Sequence, residues 1–545
     1  MSPLVGGKQT TQGTSSLENE ETRELSGSQI LCEALVREGV ELLYGYPGGA
    51  IMPFYDALTS YPSLRHILVR HEQAAAHAAD GYARATGKVG VCVATSGPGA
   101  TNLVTGLATA FMDSTPIVAI TGQVVRSLIG RDGFQEIDIL GITQPVTKHN
   151  FLVERVEDLA GIVHEAFCLA RSGRPGPVLV DVPKDIQFAK TLYRPNASLN
   201  SFETVRFTRK PDVQVEMIAR AAELIARSRR PLILAGHGVI LSKAYKELLT
   251  FAEKSGMPVI TTLLGLSAVP ETHPLVIGMP GMHGPAHVNN AINRADLLVA
   301  IGMRFDDRVT GKVDCFAPRA RIIHIDIDPS EIHKVKRAAV PIVADAREAL
   351  TALIGAIEPA NRESWLQEIR SWEFAAQSSR KDEGLPDPTG ILEAIRSETR
   401  GEAIIVSDVG QHQMWTARFY TWTRPNSHIT SGGLGTMGFA LPAAMGVKMG
   451  LPQETVWVVA GDGGIQMNIQ ELATLKQQGV AVKIAIMNNG YLGMVRQWQE
   501  FFHDRNYSET PMTGPDYVKL AEAYGLKGLH ITRREDVVQA IHEAM

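Results

Sequence analysis

The chain has 545 residues, 44% of them hydrophobic and 20% charged, with 53 Lys and Arg against 58 Asp and Glu. At roughly 100–200 residues per domain, that length predicts about three domains of ordinary globular composition. The composition excludes a disordered or collagen-like chain and a strongly basic nucleic-acid binder, and no apolar run approaches the ~20 residues of a membrane span, so neither nucleic acid nor membrane is an expected partner.

In chain order, residues 1–27 are rich in Gly, Ser, Thr and Gln, carry Glu18, Glu20, Glu21 and Glu24, and read as a disordered leader. The segment has no apolar signal stretch, and its acids argue against a transit peptide. The cysteines Cys32, Cys92, Cys168 and Cys315 stand far apart without a CxxC pair. That spacing excludes a disulfide scaffold and a zinc ribbon, and a reducing cytoplasmic location is expected.

From Ser28 onward, helix-like stretches alternate with short Val/Ile/Ala runs that end in Gly or Asp, the pattern of parallel sheets covered on both faces. Strands are predicted at 89–95, 116–121 and 177–181 in a first block (28–192). A second block (193–375) has strands at 231–235, 297–301 and 321–326, and a third (376–545) at 455–460 and 482–487. Polar stretches at 191–211 and 360–388, with Pro at or near their edges, read as linkers. The expectation is an α/β protein of three doubly wound parallel-sheet domains, in which the first and third could share a fold without sharing sequence.

The strongest chemical signal is Gly461-Asp462-Gly463 after one predicted strand and Asn488-Asn489 after the next. Both fall at carboxyl ends of strands, where open α/β sheets bind ligands. Between them Ile465, Ile469, Leu472 and Leu475 predict one helix closed by Gly479, whose Gly-rich start presents free backbone N–H groups suited to a diphosphate. The Asp462 carboxylate and Asn489 amide oxygen, with a backbone carbonyl just beyond, make a hard-oxygen set for Mg²⁺. In the middle block, Gly236-His237-Gly238 has Leu241 where a dinucleotide fingerprint has its third glycine, so a structural turn and a dinucleotide loop are equal readings. His283 and His287 stand four apart without a carboxylate motif and do not read as a metal site.

The paired motifs are those by which thiamine-diphosphate enzymes hold magnesium and the cofactor diphosphate. From Ser28 to the end the chain resembles the catalytic large subunits of the acetohydroxyacid synthase (acetolactate synthase) family. Tyr46-Pro-Gly-Gly-Ala50, Arg70-His-Glu-Gln-Ala74, Gly133-Phe-Gln-Glu136, Gly281-Met-His-Gly284, Arg304-Phe-Asp-Asp-Arg308, Gly410-Gln-His-Gln-Met-Trp415, Ser431-Gly-Gly-Leu-Gly435 and Gly493-Met-Val-Arg-Gln-Trp498 occur in the family's order.

The resemblance implies roles residue by residue. Glu72 would meet N1′ of the aminopyrimidine and promote removal of the thiazolium C2 proton, which requires a carboxyl shielded from water. Met437 would wedge beneath the cofactor, and the Gly435 carbonyl would accept from its amino group. Gly410, Gln411, His412, Gly463, Gly464 and Met494 would line the thiamine diphosphate site, with Mg²⁺ on Asp462, Asn489 and the Tyr491 carbonyl. An FAD of non-redox role would meet Arg174, Gly236, Gly238, Thr262, Leu263, Met282, His283, Gly302, Arg304, Arg308, Asp326, Ile327 and Asp345. Phe134, Gln135, Lys184, Arg308, Met494 and Trp498 would line the channel for a 2-ketoacid.

The implied activity decarboxylates pyruvate and adds the hydroxyethyl unit to pyruvate or 2-ketobutyrate, giving 2-acetolactate or 2-aceto-2-hydroxybutyrate, the first common step of branched-chain amino acid biosynthesis. The family pattern further implies a homodimer or homotetramer, with active sites between the first domain of one subunit and the third of another, and a separate small regulatory subunit. Two features depart from it: 122–127 lacks the proline and paired arginines of many members, and the sequence stops at Met545, where the family continues with a strand and a tail over the site. A pyruvate oxidase with the same three domains is the nearest alternative. Against a catalytically silent homologue, the second alternative, stand the intact Glu72, Asp462 and Asn489.

Overall fold

The computed structural model describes residues 22–193, 211–373 and 384–545. The leader reading of 1–21 and the central parts of both linker stretches lie outside the described residues. Uninterrupted apolar strands produce three sheets in which every strand pair is parallel. The first runs, in space, Arg65–Leu68, Leu42–Gly45, Gly90–Ala94, Ile117–Gln123, Val178–Pro183, His149–Leu152. Its central strands, Gly90–Ala94 and Ile117–Gln123, are buried at every position, as helices on both faces require.

The second sheet runs Val276–Gly278, Val259–Thr261, Pro231–Ala235, Leu297–Ile301, Arg321–Asp326, Val340–Val343. Numbered along the chain this is 3-2-1-4-5-6, the dinucleotide-binding winding, whose ligand crevice opens between strands 1 and 4. The third runs His428–Thr430, Ile404–Ser407, Val456–Gly461, Lys483–Met487, an order of 2-1-3-4 that repeats the first four positions of the first sheet. The first and third units therefore share a winding that no sequence repeat betrays. Among the described residues no helix is long and apolar enough to cross a membrane.

Three local expectations are corrected. Arg23–Ser26, inside the leader reading, is a strand paired antiparallel with Lys190–Tyr193, and Ser26 caps the helix Gly27–Arg37 through a reciprocal bond with Gln29. Glu363–Ser371, inside the second linker reading, is a helix that buries Trp365, Leu366 and Ile369 against the central sheet. The helix expected to run past Ile465 to Gly479 is two, Asp462–Gln466 and Glu471–Gln478, because the buried Asn468 amide donates to the Gly438 carbonyl (2.8 Å) in the break between them. Gly479 ends the second in the left-handed conformation, φ 63°.

The first and third units pack through Glu72–Thr86 and Ala440–Gly450, helices at equivalent places in the two windings. A Cβ on Gly81 would run into the Ala443 carbonyl, and one on Gly446 into that of Ala78, so small residues let the backbones touch. The joint is largely alanine, with Ala74, Ala75, Ala78, Ala79, Ala443 and Ala444 fully buried.

Candidate active site

The apolar strand Val456–Gly461 delivers Asp462 to its carboxyl end, and the edge strand Lys483–Met487 delivers Asn489 beside it. Asp462 is buried and accepts from the Gly490 backbone N–H at 2.9 Å; burial pushes its carboxyl up, partly offset by such backbone donors. The 489–492 turn is pinned where Leu492 N–H donates to Thr510 O (2.8 Å) and Met512 N–H to Gly490 O (2.8 Å). Asp462, Gly463, Gly464, Asn489, Tyr491 and Met494 line a cleft of about 60 Å³ together with Gly410, Gln411, His412 and Met437.

The residues of that cleft could hold a diphosphate and a divalent cation. Side chains close in on its glycines: a Cβ on Gly493 would strike Gln411 Oε1, and one on Gly463 would come within 3.0 Å of the Leu492 side chain and 3.4 Å of that of Met437. His412 is buried, its pKa is pushed down to about 4 by that burial, and Nε2 has no partner. A neutral imidazole with an unsatisfied buried nitrogen marks a place for a ligand's polar atom. Asp462 with the Asn489 amide adds the hard oxygens that a divalent cation requires.

Behind this cleft lies Asp408, which the sequence reading missed although it too ends an apolar strand. Burial raises its carboxyl to about 7, and it accepts from Val409 N–H (2.8 Å) and Gly438 N–H (2.9 Å), fixing the backbone on the far side of Met437. Gly435 and Gly438 both take positive φ, 73° and 83°, so the 435–438 turn depends on glycine at each end.

A cavity of about 1210 Å³ opens over the switch point of the central sheet. Gly236-His237-Gly238 follows strand 1 and Gly302 follows strand 4, and a Cβ on Gly238 would lie 2.6 Å from Gly302 Cα. Glycine at both positions is thus required by the close packing of the two turns. Of the residues expected at FAD, Arg174, Gly238, Thr262, Leu263, Met282, His283, Gly302, Arg304, Arg308, Asp326, Ile327 and Asp345 line the cavity, and Gly236 does not. The volume exceeds that of an ordinary drug-sized site. Burial pushes Asp326 up to about 6. His287 is satisfied by the Ile277 carbonyl at 3.0 Å.

The cavity is built from all three units. Gly435, Met494 and Trp498 join its wall, and Val409 and Met494 line both cavity and cleft, so the two are contiguous. At the junction Arg308 reaches across from the central unit to the Trp498 ring.

Glu72, Phe134, Gln135 and Lys184 line neither space. Glu72 is 9% exposed at the start of its helix, capped by His71, and its Oε2 accepts from Asn102 Nδ2 at 2.9 Å. A Cβ on Gly99 would lie 3.2 Å from Glu72 Oε1, and one on Gly97 2.9 Å from Gln135 Cα. Glu72, the 97–99 turn and Gln135 therefore form a second cluster on the first unit. Beside Gln135, itself at φ 58°, Phe134 is 89% exposed, so the predicted channel wall faces outward in the single chain.

Three family models match in order: the thiamine pyrophosphate enzyme N-terminal TPP binding domain over residues 25–142, the central domain over 218–353, and the C-terminal TPP binding domain over 408–545. The acetolactate synthase large subunit of Mycobacterium tuberculosis is 49% identical over 538 residues, covering 96% of this chain and 86% of the relative. That of Corynebacterium glutamicum is 47% identical over 536 residues, covering 95% and 84%. That of Buchnera aphidicola subsp. Schizaphis graminum is 46% identical over 527 residues, covering 95% and 91%. With a thiamine-type cleft, a three-unit cavity and this likeness along nearly its whole length, the chain belongs to the acetolactate synthase large-subunit family of thiamine pyrophosphate enzymes.

Proposed function

We propose that the protein decarboxylates pyruvate and joins the two-carbon unit to a second 2-ketoacid, yielding 2-acetolactate from pyruvate and 2-aceto-2-hydroxybutyrate from 2-ketobutyrate. The observation that carries this reading is the continuity of the Asp462–His412–Met437 cleft with a cavity whose wall holds Arg308 and Trp498. Thiamine diphosphate, when bound, supplies the electron sink for decarboxylation and the nucleophilic carbon for the new bond. Asp462, Asn489 and the Tyr491 carbonyl would hold Mg²⁺ against its diphosphate, with Gly410, Gln411, His412, Gly463 and Gly464 as the cradle.

Within that frame the side chains have separable tasks. Glu72 would hold and exchange the proton that the bound cofactor's ring requires; Asn102 occupies Oε2, which leaves Oε1 for that role. Met437, backed through the Gly438 N–H by Asp408, shapes the floor of the cleft. Arg308 draws in the ketoacid carboxylate by charge and planar geometry, and Trp498 presents an apolar face to the acceptor's alkyl group. FAD in the large cavity is structural, because decarboxylation with carbon–carbon bond formation has no net redox change.

Because Glu72 and Gln135 line neither space, the complete site takes the Glu72 cluster of one copy and the cleft of another, so a homodimer is the smallest competent unit. Exposed Tyr46, Met52 and Phe134 on the first unit and Met467, Phe501 and Phe502 on the third support this, since large apolar side chains favour cover by a partner. A small regulatory subunit belongs to the same reading, prompted by the relatives' designation as large subunits. Four free cysteines, three of them buried, suit a reducing cytoplasm.

The test is to incubate the protein with pyruvate, thiamine diphosphate, Mg²⁺ and FAD and to assay acetolactate beside oxygen consumption. Acetolactate without oxygen uptake is the expected result. Acetate or acetyl phosphate with stoichiometric oxygen uptake would replace this reading by a pyruvate oxidase.

A further inference from the structure

The helix Val104–Asp113 of the first unit ends on a buried aspartate that touches all three units. Asp113 is 1% exposed, and its carboxylate accepts from Arg84 Nη2 at 2.9 Å, Gly432 N–H at 3.1 Å and Gly433 N–H at 2.6 Å. The Arg84 side chain is 5% exposed, pairs with Asp80 at 2.5 Å, and donates to the Thr430 carbonyl at 2.8 Å. One turn earlier on the same helix face, Thr109 Oγ1 meets Thr436 Oγ1 at 2.7 Å. The first unit thus grips both ends of the segment 430–436, which leads directly into Met437.

The other side of the same corner faces the dinucleotide cavity. Arg174 Nε donates to Ser114 Oγ at 2.8 Å, and the half-buried ring of His237, in the Gly236–Gly238 loop, meets the Asp113 backbone carbonyl. Asp113, Ser114, Arg174, His237 and Gly433 all line that cavity. A carboxylate this deep is tolerable only while its cation and N–H donors stay in place, so any displacement of the 112–114 corner transfers to Gly432 and Gly433. Close contact leaves little slack: a Cβ on Gly433 would lie 2.7 Å from Asp113 Oδ1.

We propose that Asp113 is the positioning residue that sets the 432–437 segment and couples it to the cavity, so that a filled dinucleotide cavity tightens the thiamine diphosphate site. The inference rests on the cofactor assignments made under the proposed function. Linkage makes the effect reciprocal: thiamine diphosphate should tighten FAD by the same factor.

The test is calorimetric titration of the full-length protein with thiamine diphosphate and Mg²⁺, with and without saturating FAD. In the wild type, FAD should tighten thiamine diphosphate by about tenfold, within the usual range of coupling between sites. Asp113→Asn should weaken thiamine diphosphate by about tenfold without FAD and reduce the FAD-dependent gain below about twofold. His237→Phe keeps the ring volume and leaves the Arg84–Asp113 pair intact, so it stands whether or not Asp113→Asn folds. It should leave the FAD-free affinity within about twofold of wild type while lowering the gain as Asp113→Asn does. An unchanged gain in His237→Phe, or wild-type affinities in folded Asp113→Asn, overturns the proposal. A wild type that binds no thiamine diphosphate in either state overturns the proposed function with it, whereas normal binding with no FAD-dependent gain overturns the coupling alone.

Discussion

The guanidinium of Arg308 lies 5.6 Å from the centroid of the Trp498 ring, and this contact joins the central unit to the third at the mouth of the cavity. The cation lies over the indole face, and the Asp307 carboxylate is 3.8 Å from it with both side chains largely exposed, so that ion pair is weak. Such a pair combines a charge that attracts a carboxylate with a flat apolar surface beside it.

Trp498→Leu keeps the wall apolar but removes the flat surface, and one methylene in an apolar pocket is worth roughly 1–3 kcal/mol of discrimination. With both acceptors present, preference for 2-ketobutyrate over pyruvate should fall by about tenfold, while pyruvate self-condensation survives. Product ratios from a competition assay decide; an unchanged ratio removes Trp498 from acceptor choice.

Asp181 gives a pH prediction. It is fully buried, accepts from Thr121 Oγ1 (2.7 Å) and Gln123 Nε2 (3.0 Å), and burial raises it to about 7. The same Gln123 nitrogen donates to the Ile137 carbonyl at 3.0 Å and so anchors the segment that carries Phe134 and Gln135. Between the ordinary carboxylate range and about 7 the folded protein keeps a proton that the unfolded chain releases. Its contribution is therefore full at low pH and is lost as pH rises, at up to about 1.4 kcal/mol per pH unit. Asp181→Asn cannot ionise, so its melting temperature relative to wild type should climb steadily from pH 4.5 to 7.5. A difference that stays flat across that range contradicts the assignment.

The joint between the first and third units should tolerate no added carbon. Gly446→Ala drives a methyl into the Ala78 carbonyl, a backbone atom that cannot rotate away, and should lower stability by about 1–3 kcal/mol or more. Gly355→Ala, with nothing within 4 Å of its Cβ, should instead stabilise the helix Ala346–Ala356 by a few tenths to about 1 kcal/mol. Urea midpoints of the two variants should move in opposite directions.

What was legible in the sequence follows physical range. Asp462 and Asn489 stand out because each ends an apolar strand, and the strand predictions land within a residue or two of Val456–Gly461 and Lys483–Met487. Ile465, Ile469, Leu472 and Leu475 keep helical spacing straight through a break set by Asn468 bonding to Gly438, thirty residues away, which no local pattern reports. Arg23–Ser26 looked unstructured because it is polar and its partner strand begins at Lys190. Asp113 carried no signal at all: it is one acid at the end of an apolar helix, and its meaning comes from Gly432, Gly433 and Arg84.

The account turns on one chain holding two incomplete clusters, Glu72 with Asn102 on the first unit and Asp462 with His412 on the third. Glu72→Gln should bind thiamine diphosphate without turnover, because an amide fills the same volume but relays no proton. Asp462→Ala should lose the cofactor, because the magnesium set loses its only anionic side chain. The decisive measurement is acetolactate synthesis by the two inactive variants co-expressed in equal amounts. If each site draws Glu72 from one copy and Asp462 from the other, half the dimers are mixed and each carries one intact site, so about a quarter of wild-type activity should return. Mixed dimers as inactive as either parent would contradict a site shared between two copies.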